Sequence, residues 1–352
     1  MRIGILTHPQ FVNYGGILQC YALSTLLRKM GHEPIVIRRE ANRSFFLWEW
    51  VRALLRILHY PRYYKPIKVD RTKNIRPFIQ KYITRTSPIR SRQQMFNVCY
   101  KYQLDAVIVG SDQVWRRDYA RRFGYNYFLD FVPNGILKMS YAASFGLKEW
   151  TYNYQETKKI KKLLSHYSGI SVREAEAVEM LMNNIGMKAY QHVDPTLLLT
   201  ADDYASITSQ RLVDESYIFV YWLGDKELML NQIQVLETSG KKVVSIFLRD
   251  NVEQISIEDW LSYIKYADRI ITDSFHGSVF SIIFKKQFTV LKNDSGGNGR
   301  ISSLCKMFEI DADSVKNYTH DKIPFKKIQE ASYAYIQDTL QLSTYIEKTK
   351  RS

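Results

Sequence analysis

Three short stretches carry side chains whose types and spacing suit anion chemistry. Residues 272–284 read TDSFHGSVFSIIF: a polar, turn-forming quartet from Thr272 to Phe275, then His276 and Gly277, then an apolar run with the spacing of a buried helix. A histidine at a helix N-terminus just after a strand sits where free amides and the helix dipole gather an anion. Beside a bound phosphate or carboxylate, such an imidazole can act as a general acid; the alternative is a capping or core histidine. Arg173 ends the strand-like GISV and precedes a helix, well placed for a bidentate grip on phosphate or carboxylate, or for an ion pair with Glu174 or Glu176. NDSGGNGR places Gly296, Gly297 and Gly299 ahead of Arg300, a flexible loop with a cation at its end.

The elements that would position these groups alternate between strand and helix. MRIGILTH reads as a strand, GGILQCYALSTLLRKMG as a helix ending at Gly31, and EPIVIRRE as the next strand, a β-α-β opening that predicts a parallel, doubly wound sheet. LDAVIVGSDQVW, KMSYAASFG and YSGISVRE add further strands. After HVDPTLLLTADDY a second series begins at SYIFVYWLG and runs through QFTVL, with Ser256 expected to cap the helix that carries Glu258 and Asp259. The expected architecture is α/β: two Rossmann-like domains facing a cleft, of the GT-B-like kind. Residues 1–200 would form the first domain, with a basic amphipathic insertion at about 41–95. Residues 201–325 would form the second, and 326–352 a helix packing back on the first. In such sheets ligands bind beyond the carboxyl ends of strands. Polar turns fall at those positions at Asn13-Tyr14-Gly15-Gly16, at Gly110-Ser111-Asp112-Gln113, at Ser144–Gly146, at Arg173-Glu174 and at Asp273–Gly277.

Several function classes are excluded by what the chain lacks. There is no GxxxxGK[ST], no GxGxxG, no HExxH and no GxSxG, which argues against nucleotide hydrolysis, a nicotinamide enzyme, a zinc protease and an α/β-hydrolase. Cys20, Cys99 and Cys305 are too scattered for a disulfide framework or a zinc site and predict thiols in a reducing cytoplasm. The net charge of +15 is unevenly spread: residues 38–92 hold fifteen Lys or Arg against Glu40, Glu49 and Asp70, a local +12 that leaves +3 for the remaining 297 residues. This predicts an anionic partner near that segment, or a solvated basic surface. Within it, FFLWEWVRALLRILHY reads as an amphipathic helix suited to a membrane surface or to packing on the protein itself; no apolar run is long enough to span a bilayer. No nucleic-acid-binding motif accompanies the charge, so nucleic acid is not an expected partner.

Taken in order, NYGGILQCYAL, VGSDQVW, YAASFG, SVRE, VDPTLLL and TDSFHGSVFSIIF resemble the polysaccharide pyruvyl transferase family, over about residues 3–310. The resemblance implies a GT-B-like fold and transfer of the pyruvyl unit of phosphoenolpyruvate to a sugar. Phosphoenolpyruvate is then a co-substrate, with no other cofactor and no metal required. The family's donor-binding arginine maps onto Arg173 and its histidine onto His276, with Ser274 and Gly277 beside it. Its further cation maps onto Arg300, with Lys292 as the second choice. Asn13, Tyr14, Gly15, Gly16 and Gln113 would line the acceptor side. Asp112 would be either the base for the acceptor hydroxyl or a structural turn residue. The acceptor would be a cell-surface saccharide, as in family members that act on polyprenyl-diphosphate-linked precursors, and residues 38–92 would dock the enzyme at the inner face of the cytoplasmic membrane. The competing expectation is a glycosyltransferase of the same architecture using a nucleotide sugar.

Overall fold

Short runs of branched apolar residues form parallel strands, and the helices between them cover both faces. The computed structural model describes residues 1–9, 12–40, 69–238, 240–248, 250, 252–291, 298–308 and 325–351. In the first sheet β1 (Arg2–Leu6), β2 (Glu33–Val36), β3 (Ala106–Val109) and β4 (Leu137–Ser140) lie in the order β2-β1-β3-β4, all parallel. The sequence AVIV of β3 is fully buried, as expected of a central parallel strand covered on both faces. Two short strands, β5 (Ser171–Val172) and β6 (Tyr190–Gln191), pair with each other, and single bridges join their segment to the β4 side. The second sheet contains β7 (Ile218–Trp222), β8 (Val243–Phe247), β9 (Arg269–Thr272) and β10 (Gln287–Val290) in the order β10-β9-β7-β8, again parallel.

Both sheets reverse direction at an interior strand pair. In the first, the chain steps from β1 outward to β2 and then returns to β3 on the other side; in the second, it steps from β7 to β8 and returns to β9. The carboxyl ends of β1 with β3, and of β7 with β9, are therefore the switch points where crevices open in this class of sheet. The turns holding Asn13–Gly16, Gly110–Gln113 and Asp273–Gly277 leave from those strand ends.

Helix α1 (Tyr14–Lys29) shows why the local sequence folds as it does. Asn13 caps it by accepting from the Gly16 amide at 3.2 Å, Arg28 and Lys29 occupy its last turn, and Gly31 takes a positive φ of 82° beyond it. Helix α2 (Ala175–Ile185) follows β5, α3 (Lys226–Thr238) follows β7, and α4 (Ile257–Tyr266) is capped by Ser256, which accepts from the Asp259 amide at 3.0 Å. Helix α5 (Phe275–Ile283) begins two residues earlier than the apolar spacing alone indicates, because Ser274 supplies the cap and places Phe275 and His276 inside the first turn. Helices α6 (Asn298–Met307) and α7 (Phe325–Arg351) complete the chain.

Helix α7 packs back on the first sheet. Tyr335 donates to the Ser140 carbonyl at 2.9 Å, Tyr333 to that of Leu198 at 2.6 Å and Gln329 to that of Leu197 at 2.7 Å. Of the basic segment, residues 41–68, with the amphipathic stretch, lie outside the described residues. The described part is tied to the loop after β8: Lys73 pairs with Glu253 at 3.2 Å, Asn74 donates to the Gln254 carbonyl at 3.0 Å and Arg71 to that of Leu248. Cys20, Cys99 and Cys305 are buried thiols, and burial pushes that of Cys20 up to about 12. Among the described residues no helix is long and apolar enough to cross a membrane.

Under α7, His192 is buried with its ring 4.5 Å from that of Tyr335. Ser171 Oγ accepts from the Ala142 amide at 3.1 Å and lies within hydrogen-bond distance, 2.9 Å, of His192 Nδ1. Burial pushes this histidine down to about 4 from 6.5. A depressed folded-state value means the unfolded chain binds more protons between these limits. The stabilisation is complete above pH 6.5 and is lost as pH falls toward 4, by about 3 kcal/mol in all. Urea unfolding at pH 7 and pH 4.5 should show that loss in the wild type and a flatter profile in His192→Gln, whose amide can pair with Ser171 Oγ as donor or acceptor.

Candidate functional site

The ends of β3 and β4 in the first sheet, with that of β5 bridged to them, set out the edge on which the charged groups gather. Beyond β3 the chain passes through Gly110, with φ 125°, to Asp112, with φ 70°; a β-carbon on Gly110 would meet the Tyr141 carbonyl oxygen at 2.2 Å, so glycine is required there. Asp112 bridges to Ala143 beyond β4, and the Arg173 amide donates to the Ala143 carbonyl at 3.0 Å, placing Asp112, Ser144 and Arg173 along one carboxyl edge. Gln19 of α1 clamps this edge from behind, donating to Thr7 Oγ1 at 2.9 Å and accepting from the Ser111 amide at 3.1 Å.

Arg173 is the centre of the charge cluster and its side chain is only 4% exposed. Nη1 donates to Asp194 Oδ2 at 2.9 Å, Nε to Glu174 Oε1 at 3.2 Å, and Nη2 lies 3.7 Å from Asp112 Oδ1. The Phe275 ring sits 4.8 Å from the guanidinium carbon, a cation–π contact. Burial alone would lower the pKa of this arginine, but the carboxylates of Glu174, Asp194 and Asp112 outweigh it and hold the group charged. The ion pair with Glu174, which the sequence offers as the alternative to an anion grip, is present, together with two carboxylate partners that are distant in the chain.

Asp194 follows β6 and caps the short 3-10 turn Pro195–Leu198. Its Oδ1 accepts from the Thr196 amide at 3.1 Å and from Thr196 Oγ1 at 2.8 Å. Its Oδ2 lies 2.9 Å from Arg173 Nη1, 3.2 Å from Ser111 Oγ and 3.7 Å from His276 Nε2. The last distance is too long for a hydrogen bond and within reach of an ion pair. Burial would raise the Asp194 carboxyl pKa, yet His276, Arg173 and the Thr196 amide hold it well below the usual carboxylate range. In the sequence this residue lies in VDPTLLL, one of the stretches that carry the family resemblance, but the resemblance assigns it no role.

His276 is brought to the cluster by α5. Ser274 accepts from the Gly277 amide at 3.3 Å, and a β-carbon on Gly277 would stand 2.5 Å from Thr272 Oγ1, so this turn packs tightly on the end of β9. The first turn of α1 abuts it: a β-carbon on Gly15 would stand 2.0 Å from His276 Cγ and Nδ1. The N-termini of α1 and α5 therefore meet over the histidine. Tyr14 is fully buried, stacks 5.3 Å from Trp260 and donates to the Ile255 carbonyl at 3.2 Å. Tyr14 and Gly15 thus form the packed joint between α1 and the α4–α5 region, where sequence suggested an acceptor lining. Asn13 remains exposed and Gly16 half-buried; Gln113 is half-buried and accepts from Arg116 at 3.1 Å.

A recess beside Arg173 is lined by Asp194, Glu174, Phe275 and, from α6, Ser303 and Leu304. Arg300 belongs to the first turn of α6; Lys292 lies outside the described residues. Asp112, Arg173, Ser274, His276 and Gly277 are thus gathered in one place. Among the described residues no cluster of His, Cys, Asp and Glu is arranged to hold a metal ion.

The Gly15–His276 contact separates two adjacent glycines. Gly15→Ala should lose about 1–3 kcal/mol and displace the imidazole, because the added methyl overlaps the ring. Gly16→Ala meets nothing nearer than 3.5 Å and should unfold at or above the wild-type midpoint, since alanine is the better helix former. Denaturant unfolding of the two variants checks both.

Solved structures of similar shape share little sequence. The S. aureus MnaA–UDP co-structure matches with a TM-score of 0.54 at 12% identity, over 97% of this chain and 97% of that one. The UDP-GlcNAc 2-epimerase from Neisseria meningitidis bound to UDP-GlcNAc matches with a TM-score of 0.50 at 13% identity, over 97% and 100%. At such identities the likeness shows the fold alone, an α/β arrangement of parallel sheets flanked by helices, of the GT-B-like kind. No curated protein sequence matches the chain. The family model described as polysaccharide pyruvyl transferase matches residues 13–295, which span the α1 turn, the Arg173 edge and the His276 helix. The chain belongs to the polysaccharide pyruvyl transferase family.

Proposed function

We propose that this protein transfers the pyruvyl unit of phosphoenolpyruvate to a pair of hydroxyls on a sugar, forming a cyclic ketal and releasing phosphate. The observation that carries this reading is a pair of buried nitrogens with hydrogen-bonding capacity to spare: Arg173 Nη2 and His276 Nε2 each lie 3.7 Å from a carboxylate oxygen and make no hydrogen bond of normal length, although both side chains are almost wholly buried. A buried donor without an acceptor is costly unless a ligand supplies one. Phosphoenolpyruvate has two anionic groups on a small carbon frame, so one molecule can engage both side chains at the α5 N-terminus, where Ser274 and Gly277 lie. Arg300, at the start of α6, is the further cation for the same ligand, with Lys292 as the second choice.

The chemistry then uses groups of this chain. The first sugar hydroxyl adds across the C2–C3 double bond, its oxygen to C2 and a proton to C3, which becomes a methyl. The second hydroxyl bonds to C2 as the C2–O bond to phosphate breaks; phosphate leaves with the electron pair and the second proton. His276 delivers a proton to C3 or to the departing phosphate, and Arg173 stabilises the charge that grows there. Asp112, at the same sheet edge, takes the proton of the attacking hydroxyl. Asn13, Gly16 and Gln113 face the acceptor. In this reading the two sheets act as Rossmann-like domains that divide near residue 200 and flank a cleft. The acceptor is a cell-surface polysaccharide or its polyprenyl-diphosphate-linked precursor. The basic segment 38–92 docks the enzyme at the cytoplasmic face of the membrane, where each basic residue near an anionic leaflet contributes about 1 kcal/mol.

A calorimetric titration of phosphoenolpyruvate tests the donor assignment. Wild type should bind saturably, while Arg173→Ala and His276→Ala weaken binding by about tenfold or more through loss of a charge-assisted bond. Arg173→Lys should rescue little, because an ammonium cannot reproduce the planar fork. Binding of a UDP-sugar in place of phosphoenolpyruvate would move the protein to the glycosyltransferases.

A further inference from the structure

Arg173 and His276 reach the site on different parts of the chain, one beyond β5 at the edge of the first sheet and the other on α5 beyond the second. Among the described residues, Asp194 is the carboxylate within 4.0 Å of both, at 2.9 Å from Arg173 Nη1 and 3.7 Å from His276 Nε2. Its side chain has no exposed surface. Its orientation is set from the other end, where Oδ1 holds the amide and hydroxyl of Thr196, and from the side, where Ser111 Oγ lies 3.2 Å from Oδ2. The turn that carries it packs between α1, α5 and α7, so this carboxylate has no freedom to follow its partners. The partners must conform to it.

We infer that Asp194 is a positioning residue for donor binding. It spends Nη1 of Arg173 and thereby aims Nη2 at the ligand, and it fixes the side of the His276 ring from which Nε2 approaches. The inference rests on phosphoenolpyruvate being the donor, and it makes a counter-intuitive prediction. On charge alone, removing a carboxylate beside Arg173 should tighten the binding of an anion. If Asp194 positions Arg173 and His276, removing its charge should loosen binding. Asparagine is the informative replacement because it keeps the shape. An amide that retains the Thr196 bonds through its oxygen must point its NH2 at Arg173 Nη1 and His276 Nε2, setting donor against donor. Thr196→Val is the companion variant, since it preserves every charge in the cluster and removes only one of the two bonds that orient Oδ1.

The test compares full-length wild type, Asp194→Asn and Thr196→Val by calorimetry with phosphoenolpyruvate and separately with inorganic phosphate, and follows the 15N-labelled His276 imidazole by NMR. Phosphoenolpyruvate affinity should fall by about tenfold or more in Asp194→Asn and by a smaller factor in Thr196→Val, with the His276 ring resonances displaced in both. Equal or tighter binding by folded Asp194→Asn overturns the positioning role, leaving Asp194 a structural counter-charge. Should Asp194→Asn not fold, Thr196→Val decides, and wild-type affinity in that variant overturns the inference. If wild type binds neither anion, the donor assignment fails separately. The positioning claim is then decided by the NMR arm, where unchanged His276 resonances in a folded variant would sink it.

Discussion

A guanidinium buried to 4% exposure is the constraint around which the rest of this structure is arranged. Placing a charge away from water costs several kcal/mol, and only well-placed counter-charges and hydrogen bonds offset that cost. Arg173 meets the requirement with Asp194, Glu174 and Asp112, which come from three separate turns. Each must arrive within hydrogen-bond or ion-pair distance, so the register of β3, β4 and β5 at their carboxyl ends cannot slip. The single bridges from Asp112 to Ala143 and from Ala143 to Val172 are the backbone expression of that demand.

The same constraint reaches across to the second sheet. Asp194 touches His276, His276 is pressed against Gly15, and Gly15 opens the helix whose Gln19 clamps Thr7 and Ser111. A closed circuit of contacts therefore runs from the first sheet through α5 and back. It explains why the joint is lined by large buried rings: Tyr14, Trp260, Tyr221 and Phe280 stack or meet edge to face there. Aromatic pairs of this kind add packing energy and directional preference, which keeps the two helix N-termini in fixed relation.

Much of this was legible in the residues and some was not, for identifiable reasons. Strand and helix alternation comes through in sequence because parallel strands buried on both faces are nearly continuous in apolar residues, as in AVIV and IFVYW. Arg173 and His276 stand out because charged and polar residues at strand ends are unusual enough to notice. Asp194 does not, since an aspartate before proline is ordinary turn chemistry and its partners lie elsewhere in the chain. Tyr14 and Gly15 enter the sequence reading only as acceptor-lining residues implied by the family resemblance; their packing against Trp260 and His276 depends on where α4 and α5 lie, which local sequence does not encode.

The charges of the cluster also restrict what it can receive. Asp112, Glu174 and Asp194 outnumber Arg173 even when His276 carries a proton, so these five groups together are net negative. A cluster of that sign repels a free anion at long range and accepts one only where fixed donors outweigh the carboxylates at contact distance. The amides at the converging N-termini of α1 and α5 are such donors, with dipoles that need no counter-ion. Helix α6 closes the other side of the Arg173 recess with Ser303 and Leu304, which add no charge of either sign.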